Sequence, residues 1–250
     1  MILFISPHLD DVALSCGGLV YRLTSAGQPV TIASVHTADH PTDRPLSEAA
    51  RREHRQWQLG DQPYERRRAE DALACQTLGA TAIHLGLLDA IYRCDERGLP
   101  LYANDFIGGA VHPLDWQSHL SEVQWVLSPL VGSAMQVYCP LAIGGHVDHV
   151  VVRRAVESLA RSSVLRYYED FPYVDRVDQF SSPAAGLACE RVVLTTEELE
   201  VRIRAIACYP SQCSVMFGSV GAMSQRVQAY VARIGGERYW FVVSAARRET

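Results

Sequence analysis

The sequence predicts an α/β fold: a parallel, doubly wound sheet with helices on both faces, extended by further strands and helices at its C-terminal end. Three observations point there. Short uncharged apolar runs, such as Ile2–Ile5 and Val30–Val35, have the length and composition of strands buried on both faces. Segments with helical apolar spacing fall between such runs, and strand and helix alternate through Tyr168. The chain has 250 residues, 48% of them hydrophobic, enough for one sizeable core, so a single domain over residues 1–250 is expected.

In chain order, Ser6-Pro7 stops the first strand, and His8, Asp10 and Asp11 crowd the handover to a helix over Val12–Thr24. Val12, Cys16, Leu19 and Leu23 share one face of that helix. Gly17 and Gly18 lower its intrinsic propensity and make sense where another backbone or a ligand must come close. Ala26-Gly27-Gln28-Pro29 turns into the strand Val30–Val35. His36–Gln62 shows no clear element; it starts polar and becomes Arg-rich, and His36 and His40 read most simply as solvated.

Glu65–Leu78 is expected to be a helix stopped by Gly79, followed by a strand over Ala82–Leu85. Tyr92–Pro113 lacks periodicity and carries Gly98, Pro100, Gly108 and Gly109, as lid or binding loops do. A helix over Leu114–Leu127 and a strand over Gln136–Leu141 follow. Val150–Ala160 is amphipathic through Val152, Ala155, Val156 and Leu159, and Val164–Tyr168 is a fifth strand. Beyond lie a strand over Arg191–Leu194, a helix opened by the capping box of Thr195 and Glu198 and running to Cys208, and a break at Tyr209-Pro210-Ser211-Gln212. A helix over Ser219–Ile234, ended by Gly235-Gly236, and a strand over Arg238–Val243 complete the pattern.

The formal net charge of −5 gives no reason to expect a nucleic-acid partner. No apolar run approaches the ~20 residues of a membrane span, and Met1 leads into the first strand with no basic leader or cleavage site. The seven cysteines are scattered, odd in number and without a C-x-x-C pair, which fits a reducing cytoplasm.

Two clusters carry chemistry. His8, Asp10 and Asp11 place three ionisable groups beside a buried strand, a costly arrangement unless something pairs them. A divalent metal is the simplest partner: one imidazole and one carboxylate suit zinc, and the other carboxylate is left to handle protons. The bland alternative is an Asp-rich helix N-cap beside a surface histidine. The second cluster, His146-Val147-Asp148-His149, also follows a buried strand, and its histidines, three apart at a helix start, leave the same face. Ligands of open α/β sheets bind beyond the strand ends where strand order reverses. With the first strand central and the fourth beside it, opposite the second and third, the two clusters face each other there. His8, Asp11 and one of His146 and His149 would then be three ligands with an open fourth position.

In these residues the chain resembles the PIG-L/LmbE-like de-N-acetylase family. The family's P-H-P-D-D, ahead of a Gly-Gly, stands as Pro7-His8-Leu9-Asp10-Asp11 with Gly17-Gly18, and its H-x-D-H as His146-Val147-Asp148-His149. Arg67-Arg68-Ala69-Glu70 ahead of Leu78-Gly79 matches an R-x-x-E motif, and Tyr209-Pro210-Ser211-Gln212 a late Tyr-x-Ser-Gln. The resemblance implies a Rossmann-like, mostly parallel LmbE-like sheet and a zinc- or iron-dependent hydrolase. Such an enzyme removes an N-acetyl or other N-acyl group from an amino-sugar conjugate, with metal-held water as nucleophile. It implies His8, Asp11 and His149 as metal ligands and Asp10 as general base. A protonated His146 would stabilise the oxyanion, with Asp148 as the partner fixing its protonation, and Arg67 would grip substrate hydroxyls. One departure matters: some relatives carry a tyrosine two residues before the first histidine of the second motif, where this chain has Gly144. Either another group, for instance from Tyr92–Pro113, does that work, or substrate binds differently. Leu9 in place of proline is a mild change.

The remaining candidates read as structural. His54, His84, His112 and His119 lie apart from both clusters, and Arg66, Arg67 and Arg68 are most simply a solvated helix start, although one could point into the cleft. Asp89 reads as a loop cap, Ser15 and Cys16 as core, and Trp57, Trp116, Trp125 and Trp240 share no spacing that would make a sugar platform. A nucleotide-binding module fails on chemistry, because His8-Leu9-Asp10-Asp11 puts negative charge where phosphate would sit and no G-x-G-x-x-G follows the first strand. A non-catalytic carbohydrate- or metal-binding protein on the same fold is the alternative, and the presence of both Asp10 and Asp11 argues against it. Substrate, acyl group, choice of zinc or Fe2+, and monomer or homo-oligomer are not set by the sequence.

Overall fold

The computed structural model describes residues 1–60, 62–104, 106–176 and 184–243. Five strands pair in parallel: β1 (Ile2–Ser6), β2 (Val30–His36), β3 (Thr81–Leu87), β4 (Gln136–Pro140) and β5 (Leu165–Tyr168). Two more, β6 (Ala188–Val192) and β7 (Glu237–Phe241), are antiparallel to each other, and β7 is antiparallel to β5. The order is β3-β2-β1-β4-β5-β7-β6. Strand order therefore reverses between β1 and β4, whose registers align Ile2 with both Val30 and Gln136. Every residue of β1 is buried, as its uncharged run requires, whereas the edge strand β3 is only partly covered.

Eight helices flank the sheet among the described residues: α1 (Asp11–Ser25), α2 (Glu48–Trp57), α3 (Pro63–Leu78), α4 (Leu120–Ser133), α5 (Val147–Leu159), α6 (Thr196–Ala207), α7 (Pro210–Phe217) and α8 (Val220–Ile234). α1 packs with α3 and α6, and α4 packs with α5. The crossovers run in opposite directions from β1 and β4, and with the right-handed sense usual for parallel strands they set these groups on opposite faces. No helix among the described residues is long and apolar enough to cross a membrane.

The differences from the sequence pattern have local causes. α2 buries Ala49, Ala50, His54 and Trp57 under an otherwise charged helix, so its apolar stripe is too thin to read; Ser47 caps it, accepting from the Ala50 N–H at 3.0 Å. Pro210 breaks the preceding helix as expected, yet it also occupies the first turn of α7, where its missing N–H costs nothing. The helix expected over Leu114–Leu127 begins as a π-helical turn, Asp115–His119, and continues as α4 with Pro129 inside it. β6 precedes its expected position by a few residues. The loop after β3 opens with a 3-10 turn, Ala90–Tyr92, and is tied to the second motif by Gly108 N–H to Gly145 O (3.0 Å) and Val147 N–H to Phe106 O (2.8 Å).

Gly17 and Gly18 admit protein, not ligand. A Cβ on Gly17 would lie 2.9 Å from Arg202 Cγ, and one on Gly18 2.6 Å from Leu194 Cδ1. Arg202 donates to Leu14 O, while Glu237 accepts from Gly18 N–H at 2.9 Å and Leu19 N–H at 3.0 Å. In an ideal helix Gly18 N–H and Leu14 O would be each other's partners. Here a buried ion pair, Arg202 Nη1 to Glu237 Oε1 at 3.2 Å, serves both and anchors the helix that carries the first motif.

Candidate active site

The first motif is shaped by its own side chains. Ser6 Oγ donates to His8 O at 2.7 Å and accepts from Val12 N–H at 3.2 Å, and His8 N–H donates to Asp11 Oδ2 at 2.8 Å. This tight turn puts Asp10 at φ 145°, a backbone region that non-glycine residues rarely adopt and that recurs at functional sites. The second motif starts α5. His146 is its N-cap, with Nδ1 accepting from Asp148 N–H at 3.2 Å, and the next turn presents His149.

Across the β1/β4 reversal the clusters meet. Asp11 Oδ2 lies 3.5 Å from His8 Nδ1 and 3.3 Å from His149 Nε2. His8, His146 and His149 each offer a ring nitrogen within 4.8 Å of the others. His149 Nε2 is buried without a hydrogen-bond partner. Its other nitrogen, Nδ1, lies 2.6 Å from Asp170 Oδ1, and Asp170 Oδ2 accepts from Ile143 N–H at 2.8 Å. A buried imidazole oriented from behind, with its free nitrogen aimed at a carboxylate and a second imidazole, is what a cation site requires.

The electrostatics agree. Burial disfavours a charged His8, but Asp89, Asp11 and Asp148 outweigh it and hold its pKa well above the ordinary value. Burial likewise opposes charge on His149, and Asp11 and Asp170 push its pKa up to about 9. Asp11 stays ionised against burial because His149 and His8 flank it. The cluster thus gathers positive charge, which protons or a metal ion can supply. A second trio, His8, His36 and Asp148, is less suited to a metal, because the Arg93 guanidinium stands 2.6 Å from Asp148 Oδ1 and already supplies the cation.

Two expectations about the second motif change. Asp148 does not pair its carboxylate with the His146 ring. Oδ2 lies 2.9 Å from His8 Nε2 and accepts from Ala90 N–H at 3.1 Å, while Oδ1 faces Arg93. The Asp148 carboxylate therefore meets the His8 ring and not the His146 ring. Nor is His146 held protonated: burial, then the charge on His8, pull its pKa well below the ordinary value. Because Nδ1 accepts from the backbone, the neutral ring carries its hydrogen on Nε2 and remains a donor.

Above the cluster opens a cavity of about 320 Å³. His8, Asp10, Asp11, Asp89 and His146 line it, together with Trp57, Arg67, Phe106, Ile107, Tyr173 and Gln212. Burial and the neighbouring Asp11 raise the Asp10 pKa to about 8, with Arg67 and His8 working against them. Arg67 is not a solvated helix start. It is 3% exposed, its guanidinium lies 4.7 Å from the Trp57 ring and 5.0 Å from the Tyr64 ring, and its Nε has no partner. Arg68, beside it, turns outward to Asp39 at 2.7 Å and to Thr37 O at 2.6 Å.

Asp89 caps the 3-10 turn, accepting from Ile91 N–H at 3.1 Å, and also faces the cavity, 3.6 Å from His8 Nε2. His36, expected in solvent, is fully buried. Its Nδ1 donates to Pro7 O at 2.9 Å, and its Nε2 meets His119 Nε2 at 3.0 Å. As the last residue of β2 beside the buried β1, it continues the apolar run that precedes it. His54 and His84 are structural, bonded to Tyr92 Oη at 2.5 Å and to Asp71 Oδ2 at 2.8 Å. Beside Gly144 stands Tyr173. A Cβ on this glycine, at φ +88°, would lie 2.9 Å from three Tyr173 side-chain atoms, and the Tyr173 ring packs edge-on against His149. Trp57, Tyr173, Arg93 and Asp170 had no signal in the sequence as parts of this site.

Known proteins resemble this chain in sequence and fold. The family model for GlcNAc-PI de-N-acetylase, PIG-L, matches residues 3–160. The 2'-N-acetylparomamine deacetylase of Streptomyces fradiae is 31% identical over 224 residues, which cover 84% of this chain and 72% of that protein. The zinc-inhibited form of teicoplanin deacetylase superposes with a TM-score of 0.85 at 27% identity, covering 98% of this chain and 99% of that one. The A40926 pseudoaglycone deacetylase does so with a TM-score of 0.79 at 28% identity, covering 97% and 96%. With both motifs at facing strand ends of the same sheet, and a family match across most of the parallel half, this chain belongs to the PIG-L (GlcNAc-PI de-N-acetylase) family.

Proposed function

We propose that the protein is a metal-dependent N-deacetylase acting on an N-acetylated amino-sugar conjugate. The observation that carries this reading is the placement of Asp11 Oδ2 between His8 Nδ1 and the unpartnered His149 Nε2, directly below a cavity lined by Asp10. His8, Asp11 and His149 would hold the ion. When bound, a divalent cation such as Zn2+ or Fe2+ supplies an acidified water and polarises the acyl carbonyl. Asp10 takes the proton of the attacking water and returns it to the departing amine nitrogen. Its pKa of about 8 suits a group that must accept and release a proton near neutrality. His146 donates from Nε2 to the developing oxyanion, and Arg67, packed against two aromatic rings, orients sugar hydroxyls. The relatives' names support an amino-sugar antibiotic as the conjugate. The scattered cysteines support a cytoplasmic location.

The test is acetate release from 2'-N-acetylparomamine, N-acetylglucosaminyl glycopeptides and N-acetylglucosamine conjugates of thiols. It is run on protein as isolated, after chelation, and after reloading with Zn2+ or Fe2+. Turnover lost on chelation and restored by one metal supports the reading. Undiminished turnover in stripped protein removes the metal from it. Stoichiometric metal with no turnover on any amide favours the non-catalytic binder.

A further inference from the structure

We infer that Arg93 is a positioning residue for the metal site, holding Asp148 so that His8 keeps its hydrogen on Nε2 and turns the Nδ1 lone pair toward Asp11 and His149. The inference rests on the reading of His8 as a metal ligand. A chain of buried groups carries it. His8 Nε2 lies 2.9 Å from Asp148 Oδ2, and Arg93 Nη1 lies 2.6 Å from Asp148 Oδ1. Arg93 Nε and Nη2 are themselves held by Asp115, at 3.0 and 2.6 Å, and Tyr102 Oη donates to the same carboxylate at 2.7 Å.

The geometry assigns each link a task. A neutral imidazole has one N–H, and a metal takes the nitrogen that lacks it. The Asp148 carboxylate accepts only, so it draws the His8 hydrogen to Nε2. That direction is maintained by the contacts that hold the carboxylate in place. Ala90 N–H holds Oδ2, and the positive charge at Oδ1 comes from Arg93. The two-pronged grip of Asp115 on Nε and Nη2 sets the guanidinium plane, and Nη1, donating to Leu88 O at 3.0 Å, is left with its charge against Asp148 Oδ1. Lysine would bring the charge without the plane. Arg93, Tyr102 and Asp115 all come from the stretch between β3 and α4, which also sends Phe106 and Ile107 into the cavity wall.

An ordinary buried ion pair would stabilise the fold and leave metal retention alone, and that difference is measurable. The dissociation constant for Zn2+ is determined by competition with a chromogenic chelator for wild type, R93Q and R93K, alongside the melting temperature of each metal-free protein. R93Q is expected to bind zinc about 10–100-fold more weakly, as loss of a metal ligand's supporting partner does, with R93K between R93Q and wild type. Folded R93Q with wild-type zinc affinity overturns the inference, whatever its melting temperature. If R93Q does not fold, Tyr102→Phe must weaken zinc binding in the same direction, and unchanged affinity there overturns the inference as well. Wild type that binds no zinc would show, before any variant is made, that the metal reading itself fails, and the inference with it.

Discussion

His149 is held from behind by Asp170, with Oδ1 2.6 Å from Nδ1, so its Nε2 is aimed at Asp11 before any ion arrives. The partnership joins the loop after β5 to the first turn of α5. Replacing Asp170 by asparagine keeps the shape but removes the charge that fixes the ring. Zinc affinity should fall by about 10–100-fold, read by chelator competition, with the far-ultraviolet spectrum unchanged. An unaltered affinity would mean that Asp170 serves packing only.

Asp10 and Asp11 are adjacent but should separate cleanly in experiment. Asp10→Asn should lower kcat by about 10²–10⁴ while one metal per chain is retained, because Asp10 faces the cavity and its proposed role is proton transfer. Asp11→Asn should instead lower metal content. Full activity in metal-loaded Asp10→Asn would remove Asp10 as the base.

Arg67 lines the cavity with its guanidinium packed against the Trp57 and Tyr64 rings and Nη2 donating to Leu9 O at 3.4 Å. Arg67→Lys keeps the charge and loses the plane and the stacking. KM should rise by about tenfold with kcat little changed, the pattern of a lost substrate contact worth about 1.4 kcal/mol. A fall in kcat at constant KM would move Arg67 into the proton chemistry instead.

Metal-free protein should lose stability as the pH rises from about 7.5 to about 9.5. His8, His149 and Asp10 all bind protons more tightly in the folded chain than at ordinary values of about 6.5 for histidine and 3.9 for aspartate. The stabilisation from those protons is complete below the unfolded values. It disappears as pH climbs through the folded ones, about 8 for Asp10 and about 9 for His149. Urea midpoints of chelator-treated protein at three pH values test the sign, and a rising midpoint would contradict it. Zinc affinity should show the opposite trend, since the metal displaces the protons of His8 and His149.

The Arg202–Glu237 pair anchors α1 at its two glycines with both side chains essentially inaccessible. Glu237→Gln leaves a buried guanidinium without its counter-charge and should cost about 3–5 kcal/mol in urea denaturation. The double variant Arg202→Met/Glu237→Gln should recover part of that loss. Gly17→Ala should destabilise as well, because its Cβ would lie 2.9 Å from Arg202 Cγ.

Much of this protein is local and was legible in one dimension. The uncharged run of β1, the stop at Ser6-Pro7, the charge cluster after it and the amphipathic α5 behind His146 are set by nearest neighbours. The family motifs follow the same rule: His8, Asp10, Asp11, His146 and His149 sit within a few residues of strand ends, and strand ends face each other wherever strand order reverses. What surrounds that core was decided only by the tertiary structure. His36 looked solvated because its sequence neighbours are polar, and it is buried because β2 lies beside β1. Arg67 looked like a solvated helix start until Trp57, on a helix too charged to show its stripe, closed over it. Asp148 faces His8 and not His146, with Ala90 N–H on its Oδ2 and the Arg93 charge at its Oδ1, both far from it in sequence. Spacing encodes which groups share a turn. It does not encode which buried charge finds which partner, because that choice is made by desolvation across the fold, where a distant donor outweighs a neighbour along the chain.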